Sequence, residues 1–172
     1  MTIGRGMWMG LLLAAAIVVL DQVSKWVILL VVMDPPRVIP VTPFFNLVLG
    51  WNRGISFGMF DSDSPINLWL LPLLALAIIA ALTVWLARTH GGMVSAALGL
   101  IIGGAFGNVV DRLLHGAVVD FLDIHAAGWH WPAFNVADAA ITVGAALLIL
   151  DSLFAGDETH TTVPLEKTDE EP

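Results

Sequence analysis

Four long apolar stretches, at about 7–33, 66–86, 93–110 and 134–154, leave this 172-residue chain little choice but a bundle of membrane-spanning helices. One span uses about 20 mostly apolar residues, so four of them nearly exhaust the chain. Composition agrees: 13% of residues are charged, about half the share of a soluble domain, and the mean hydropathy is +0.85. The reading is one integral-membrane domain over residues 1–156. Residues 157–172 follow as an acidic segment that holds six of the fifteen acids, too poor in apolar groups to bury a core and expected to be disordered. Without it nine acids face six bases, and no basic run suggests nucleic-acid binding. Cysteine is absent, which removes thiolate chemistry and disulfides.

The expected helices are Met7–Met33, Ile66–Leu86, Met93–Val110 and Phe134–Phe154. Arg5 and the run that follows have the outline of a cleaved signal peptide. The run continues past Asp21 to Met33 without a prompt small-x-small site, so retention as a helix is expected. Between the first two helices, Pro35, Pro36, Pro40 and Pro43 exclude a continuous helix. The pieces VIPV and FFNLVLGWN read as short strands there, and AVVDFLDI as another before the fourth helix. The fold class is therefore all-α and membrane-embedded, with a small β-rich cradle between helices 1 and 2. Gly99, Gly103 and Gly107 repeat at the spacing that lets helices approach closely in lipid.

Polar residues mark where function lies. Asp21, Lys25, Asn52, Asn108, Asp111, Asp120, Asn135 and Asp138 sit in or beside the apolar runs, where a bilayer penalises them unless they serve a site. Connectivity puts both long loops and the motifs of helices 3 and 4 on one side. Asp120 and Asp138 are the candidate catalytic pair. Two carboxylates held together share a proton, so one can act as base on water while the other serves the carbonyl. From the residues alone a plainer reading stands beside this: Asp120 caps a strand or turn, and Asp138 favours a helix N-terminus. Asp21 and Lys25, at i,i+4, read as a neutralising pair rather than a proton relay. Asp111 is expected to pair with the adjacent Arg112 and brace the loop. Asn52, Asn108 and Asn135 can orient carboxylates or substrate backbone, and Gly54 permits close backbone approach. Asp61, Asp63 and Asp123 are expected on loop surfaces. His115, His125 and His130 lack the spacing of a zinc site, and His130 reads as an interfacial residue between Trp129 and Trp131. No metal or cofactor is expected.

A proton-coupled transporter with Asp21, Lys25, Asp111 and Asp138 as relay groups is a competing class, as is a scaffold binding through the glycine face of helix 3. The first lacks an internal repeat of two halves, and the second leaves the aspartates unused.

Five segments decide among these: DQVSKW at 21–26, NRGISFGMF at 52–60, GGAFGNVVDR at 103–112, VVDF at 118–121 and FNVADAAI at 134–141. Together, in this order, they resemble the bacterial lipoprotein signal peptidases, the signal peptidase II family, over about residues 10–154. The resemblance implies an aspartic endopeptidase of the bacterial inner membrane with Asp120 and Asp138 as its catalytic residues. Asp21, Lys25, Asn52, Gly54, Asn108, Asp111, Arg112 and Asn135 match supporting or substrate-binding positions. It implies prolipoproteins carrying diacylglycerol as substrates, cut just before the lipidated cysteine, in contact with membrane lipids. It also implies inhibition by the cyclic peptide globomycin, cytoplasmic termini and a site toward the periplasm. Arg53 departs from the small or polar residue common there, and the acidic tail lies outside the match.

Overall fold

The computed structural model describes residues 4–54 and 65–155. The acidic segment, Asp61, Asp63 and residues 55–60 of the 52–60 motif lie outside the described residues. Among the described residues, four helices are long and apolar enough to cross a membrane. They are α1 (Arg5–Val27), α2 (Pro65–Arg88), α3 (Gly92–His115) and α4 (Val136–Ala155). The α1 helix ends in a π-helical turn, Ile28–Val32, closed by Met33 N–H donating to the Ile28 carbonyl at 2.8 Å. The helix expected to run to Met33 thus reaches it through a widened last turn.

Most of α3 is buried, whereas α1, α2 and α4 present apolar side chains outward, as with Leu73, Leu74 and Ile78 on α2 and Ile149 and Leu153 on α4. In water such a surface would be a liability; against acyl chains it costs nothing. The glycines of α3 make its central place possible. A Cβ on Gly104 would run into the Ala137 carbonyl oxygen of α4, and one on Gly107 would sit 2.5 Å from Asp21 Oδ2 of α1. Both lie where the polar site is assembled, so close packing here also brings functional groups together. Away from the site, Ala14, Leu86, Leu98 and Ile102 form an apolar core between helices.

A four-stranded antiparallel sheet caps one end of the bundle in the order β1 (Ile39–Thr42), β2 (Phe45–Asn52), β3 (Val118–Ala126), β4 (Trp129–His130). The cradle expected between helices 1 and 2 is only half of this sheet; β3 and β4 come from the connection between α3 and α4. Val119 and Phe121 of β3 pack with Ile28 and Met33, fastening sheet to bundle. The β2–β3 register slips between Leu47 and Gly50, where three steps on β2 match two on β3. Such a bulge re-aims side chains, and here it brings Asn52 onto Asp120. After β4, Phe134 bridges back to Leu122 through Phe134 N–H and the Leu122 carbonyl, and through Leu122 N–H and the Phe134 carbonyl, at 3.0 and 2.8 Å. That bridge delivers Asn135 and the start of α4 to the edge of β3.

Candidate active site

Asp120 lies on β3 with 4% of its surface exposed. Its Oδ1 accepts a hydrogen bond from Asn135 Nδ2 at 2.7 Å, and its Oδ2 accepts one from Asn52 Nδ2 at 3.1 Å. Asn52 is itself aimed by a local turn: Gly54 N–H donates to Asn52 Oδ1 at 3.2 Å, leaving the amide nitrogen for Asp120. Burial, and then the nearby Asp138 carboxylate, push the Asp120 carboxyl from 3.8 up to about 6, against the opposing pull of the Asn52 and Asn135 hydrogen bonds.

Asp138 comes from the first turn of α4. Asn135 precedes that helix instead of lying within it, and the two residues cap it reciprocally. Asp138 N–H donates to Asn135 Oδ1 at 2.9 Å, and Asn135 N–H donates to Asp138 Oδ2 at 3.2 Å. The other Asp138 oxygen accepts from Asn108 Nδ2 at 2.8 Å. Asn108 Oδ1 takes hydrogen bonds from Lys25 Nζ at 3.1 Å and Asn135 Nδ2 at 3.3 Å. A lysine ammonium can only donate, so it fixes which end of the Asn108 amide faces Asp138. Asn108 and Asn135 thus link the two carboxylates into one framework.

Beneath this framework is a buried ionic cluster. Lys25 bridges Asp21 at 2.8 Å and Asp111 at 3.0 Å, with all three side chains at most 3% exposed. Each carboxylate also holds backbone: Asp21 Oδ1 accepts from Ala137 N–H at 3.0 Å, and Asp111 Oδ2 from Val119 N–H at 2.9 Å. The cluster therefore fixes the start of α4 and the start of β3, the two segments that carry Asp138 and Asp120. Asp21 and Lys25 pair as expected. Asp111 does not pair with Arg112: helical geometry points adjacent residues in different directions, and Asp111 turns inward to Lys25 and Gln22. Arg112 instead donates to the Gly54 carbonyl at 3.3 Å, and its charge is felt by Asp138 and Asp120 ahead of Asp111, with which it forms no direct ion pair. Gln22 was not singled out in the sequence, although it sits inside the first motif. Its Nε2 reaches Asp111 Oδ1 at 2.9 Å and the Gly107 carbonyl at 3.2 Å. A further correction concerns Asp123, which is no loop surface group but a buried residue of β3.

A cavity of about 760 Å³ lies beside the carboxylates, lined by Asn52, Asp120 and Asp138 together with Trp129, Trp131, Phe134 and Ile141. The polar network stays at this end of the bundle. Among the described residues, the core at the other end is apolar apart from Ser95, so no polar path lines the full depth that a transporter would use.

Fold and site together define a multi-pass membrane protein with two carboxylates gathered at one end of a four-helix bundle, beside an apolar cavity. The family model for signal peptidase (SPase) II matches residues 13–154, and the chain belongs to that family of proteases. Similar proteins include the lipoprotein signal peptidase of Methylobacterium sp. (strain 4-46), 45% identical over 88% of this chain and 92% of that one. That of Burkholderia vietnamiensis (strain G4 / LMG 22486) is 49% identical over 85% and 87%. Among solved structures, a bacterial membrane enzyme determined by the in meso method at 2.3 Å superposes with a TM-score of 0.78 at 28% identity, covering 90% of this chain and 93% of that one.

Proposed function

We propose that this chain removes the signal peptide from diacylglyceryl-modified prolipoproteins, cutting just before the lipidated cysteine, with Asp120 and Asp138 as the catalytic residues. The observation that carries the assignment is the shared framework of Asn108 and Asn135, which holds both carboxylates in the lining of one cavity. One carboxylate takes a proton from water as the water attacks the scissile carbonyl. The other, protonated, hydrogen-bonds the carbonyl oxygen and passes its proton to the leaving amine. An Asp120 carboxyl near 6 keeps a proton within reach at neutral pH. Asn52, Gly54 and Arg112 are suited to hold the substrate backbone, while Asp21, Lys25, Asp111, Asn108 and Asn135 hold the catalytic pair.

The protein works in the bacterial inner membrane with cytoplasmic termini and its site at the periplasmic interface. The exposed Trp129 and Trp131, stacked edge-on at 5.7 Å, suit such an interface. Membrane lipids cover the outer faces of the helices, and globomycin competes for the cavity. Purified protein incubated with a diacylglyceryl-modified prolipoprotein should yield two products whose masses place the cut before the modified cysteine. An uncut substrate, or a cut elsewhere, would refute the assignment.

A further inference from the structure

Asp123 has no part in the mechanism above, yet it is buried and fully engaged. Asn46 Nδ2 on β2 donates to its Oδ2 at 2.9 Å, and His130 Nδ1 on β4 lies 2.9 Å from each of its oxygens. Backbone pairing puts these groups in line, since Asn46 is opposite Asp123 and His125 opposite His130. The His125 and His130 rings stack at 4.8 Å. Burial alone would raise the Asp123 carboxyl, but the bonds from His130 and Asn46 hold it below the usual carboxylate range. It is an anion at the centre of a side-chain ladder across three strands.

The ladder matters because of what β4 carries. This strand has two residues, Trp129 and His130. It is reached through a tight turn with positive φ at Ala127 and Gly128, and its backbone closure includes Trp131 N–H to the Ile124 carbonyl at 2.8 Å. So short an exposed strand is weakly held by its backbone alone. Side chains alternate in direction along a strand: His130 turns to Asp123, while Trp129 and Trp131 turn to the cavity wall that Ile124 shares.

We propose that Asp123 and His130 are positioning residues that hold the β3–β4 hairpin, and with it Trp129 and Trp131, as the wall against which the substrate is gripped. The inference rests on the peptidase reading for its effect on substrate and on the geometry alone for its effect on the hairpin. The pair lies on the face of β3 opposite Asp120, so its loss acts on binding and spares the chemistry. His130 is half exposed, with 53% of its side chain accessible, which limits the effect to about five-fold.

The test is steady-state cleavage of a diacylglyceryl-modified prolipoprotein by His130→Ala and His130→Gln, with the mobility of a nitroxide on Ala126→Cys measured in the same backgrounds. His130→Ala should raise KM about five-fold, change kcat less than two-fold and free the nitroxide. His130→Gln, which keeps an N–H donor, should restore both. An unchanged KM with an unchanged spectrum would overturn the proposal, as would a fall in kcat at constant KM. Should the parent fail to cleave, the peptidase reading falls, and the nitroxide alone decides: the same spectrum with and without His130 would still overturn the clamp.

Discussion

Replacing Asp120 by Asn should make the protein inactive and, above neutral pH, more stable. The carboxyl is held at about 6 against an ordinary 3.8, which corresponds to about 3 kcal/mol at roughly 1.4 kcal/mol per tenfold. The sign follows from proton linkage. Below pH 3.8 the group is neutral in both states. Between 3.8 and about 6 the unfolded chain releases a proton that the native site retains, so stability drains away as pH rises. Above about 6 the full penalty is in place. Asn removes that penalty but turns one of the two amide contacts, from Asn52 or Asn135, into a poor pairing, which costs about 1 kcal/mol. Asp120→Asn should therefore be about 1 kcal/mol less stable than the parent at the acid end and about 2 kcal/mol more stable at pH 8. Thermal unfolding in detergent across that range should show the difference in Tm swing by roughly 6–12 °C and change sign, at the 2–4 °C per kcal/mol typical of a chain this long. A pH-independent difference would refute the claim that Asp120 is buried at an electrostatic cost beside a second carboxylate.

Three other outcomes follow from the same geometry. Lys25→Met leaves Asp21 and Asp111 buried without their cation and should cost about 3–5 kcal/mol, read as a lowered Tm in detergent; adding Asp21→Asn should recover part of the loss, and no recovery would contradict the paired arrangement. Gly107→Ala places a methyl 2.5 Å from Asp21 Oδ2 and should cost about 1–3 kcal/mol, with activity falling in the protein that remains folded; a neutral result in thermal unfolding would show that α1 and α3 are not packed this closely. Because the parent has no cysteine, a single cysteine at exposed Val38 should react with an impermeant reagent applied from the periplasm and one at Thr89 should not, the reverse pattern inverting the proposed orientation.

The four spans could be read from the sequence because lipid demands long apolar runs, and each recurs within a few residues of its expected place. The boundaries moved where local chemistry replaced hydropathy: α3 continues through Asp111 to His115 because its polar end is paired rather than solvated, and α4 starts after Asn135 because that residue caps it. The Asp21–Lys25 pair follows from helical spacing alone. Sequence distance hid the rest. Lys25 meets Asp111, and Asn52 meets Asp120, only after the chain has folded, and adjacency made Arg112 look like the natural partner of Asp111. Asp123 looked like a surface group because alternation along β3 cannot show that Asn46 and His130 arrive from neighbouring strands. The segments of β1, β2 and β3 read as strands, but their joining into one sheet did not, and β4 was missed, since strands from separate connections pair only in three dimensions.

The central claim is that Asp120 and Asp138 act as one catalytic unit, and a double-mutant cycle on kcat tests it most directly. Asp120→Asn, Asp138→Asn and the double variant would be compared with the parent on a diacylglyceryl-modified prolipoprotein, each shown to be folded by thermal unfolding. Groups that act together lose nearly everything with the first removal, so each single variant should fall by about 10⁴-fold or more and the double variant no further. Near-normal turnover in either single variant, or losses that multiply in the double, would contradict the shared dyad.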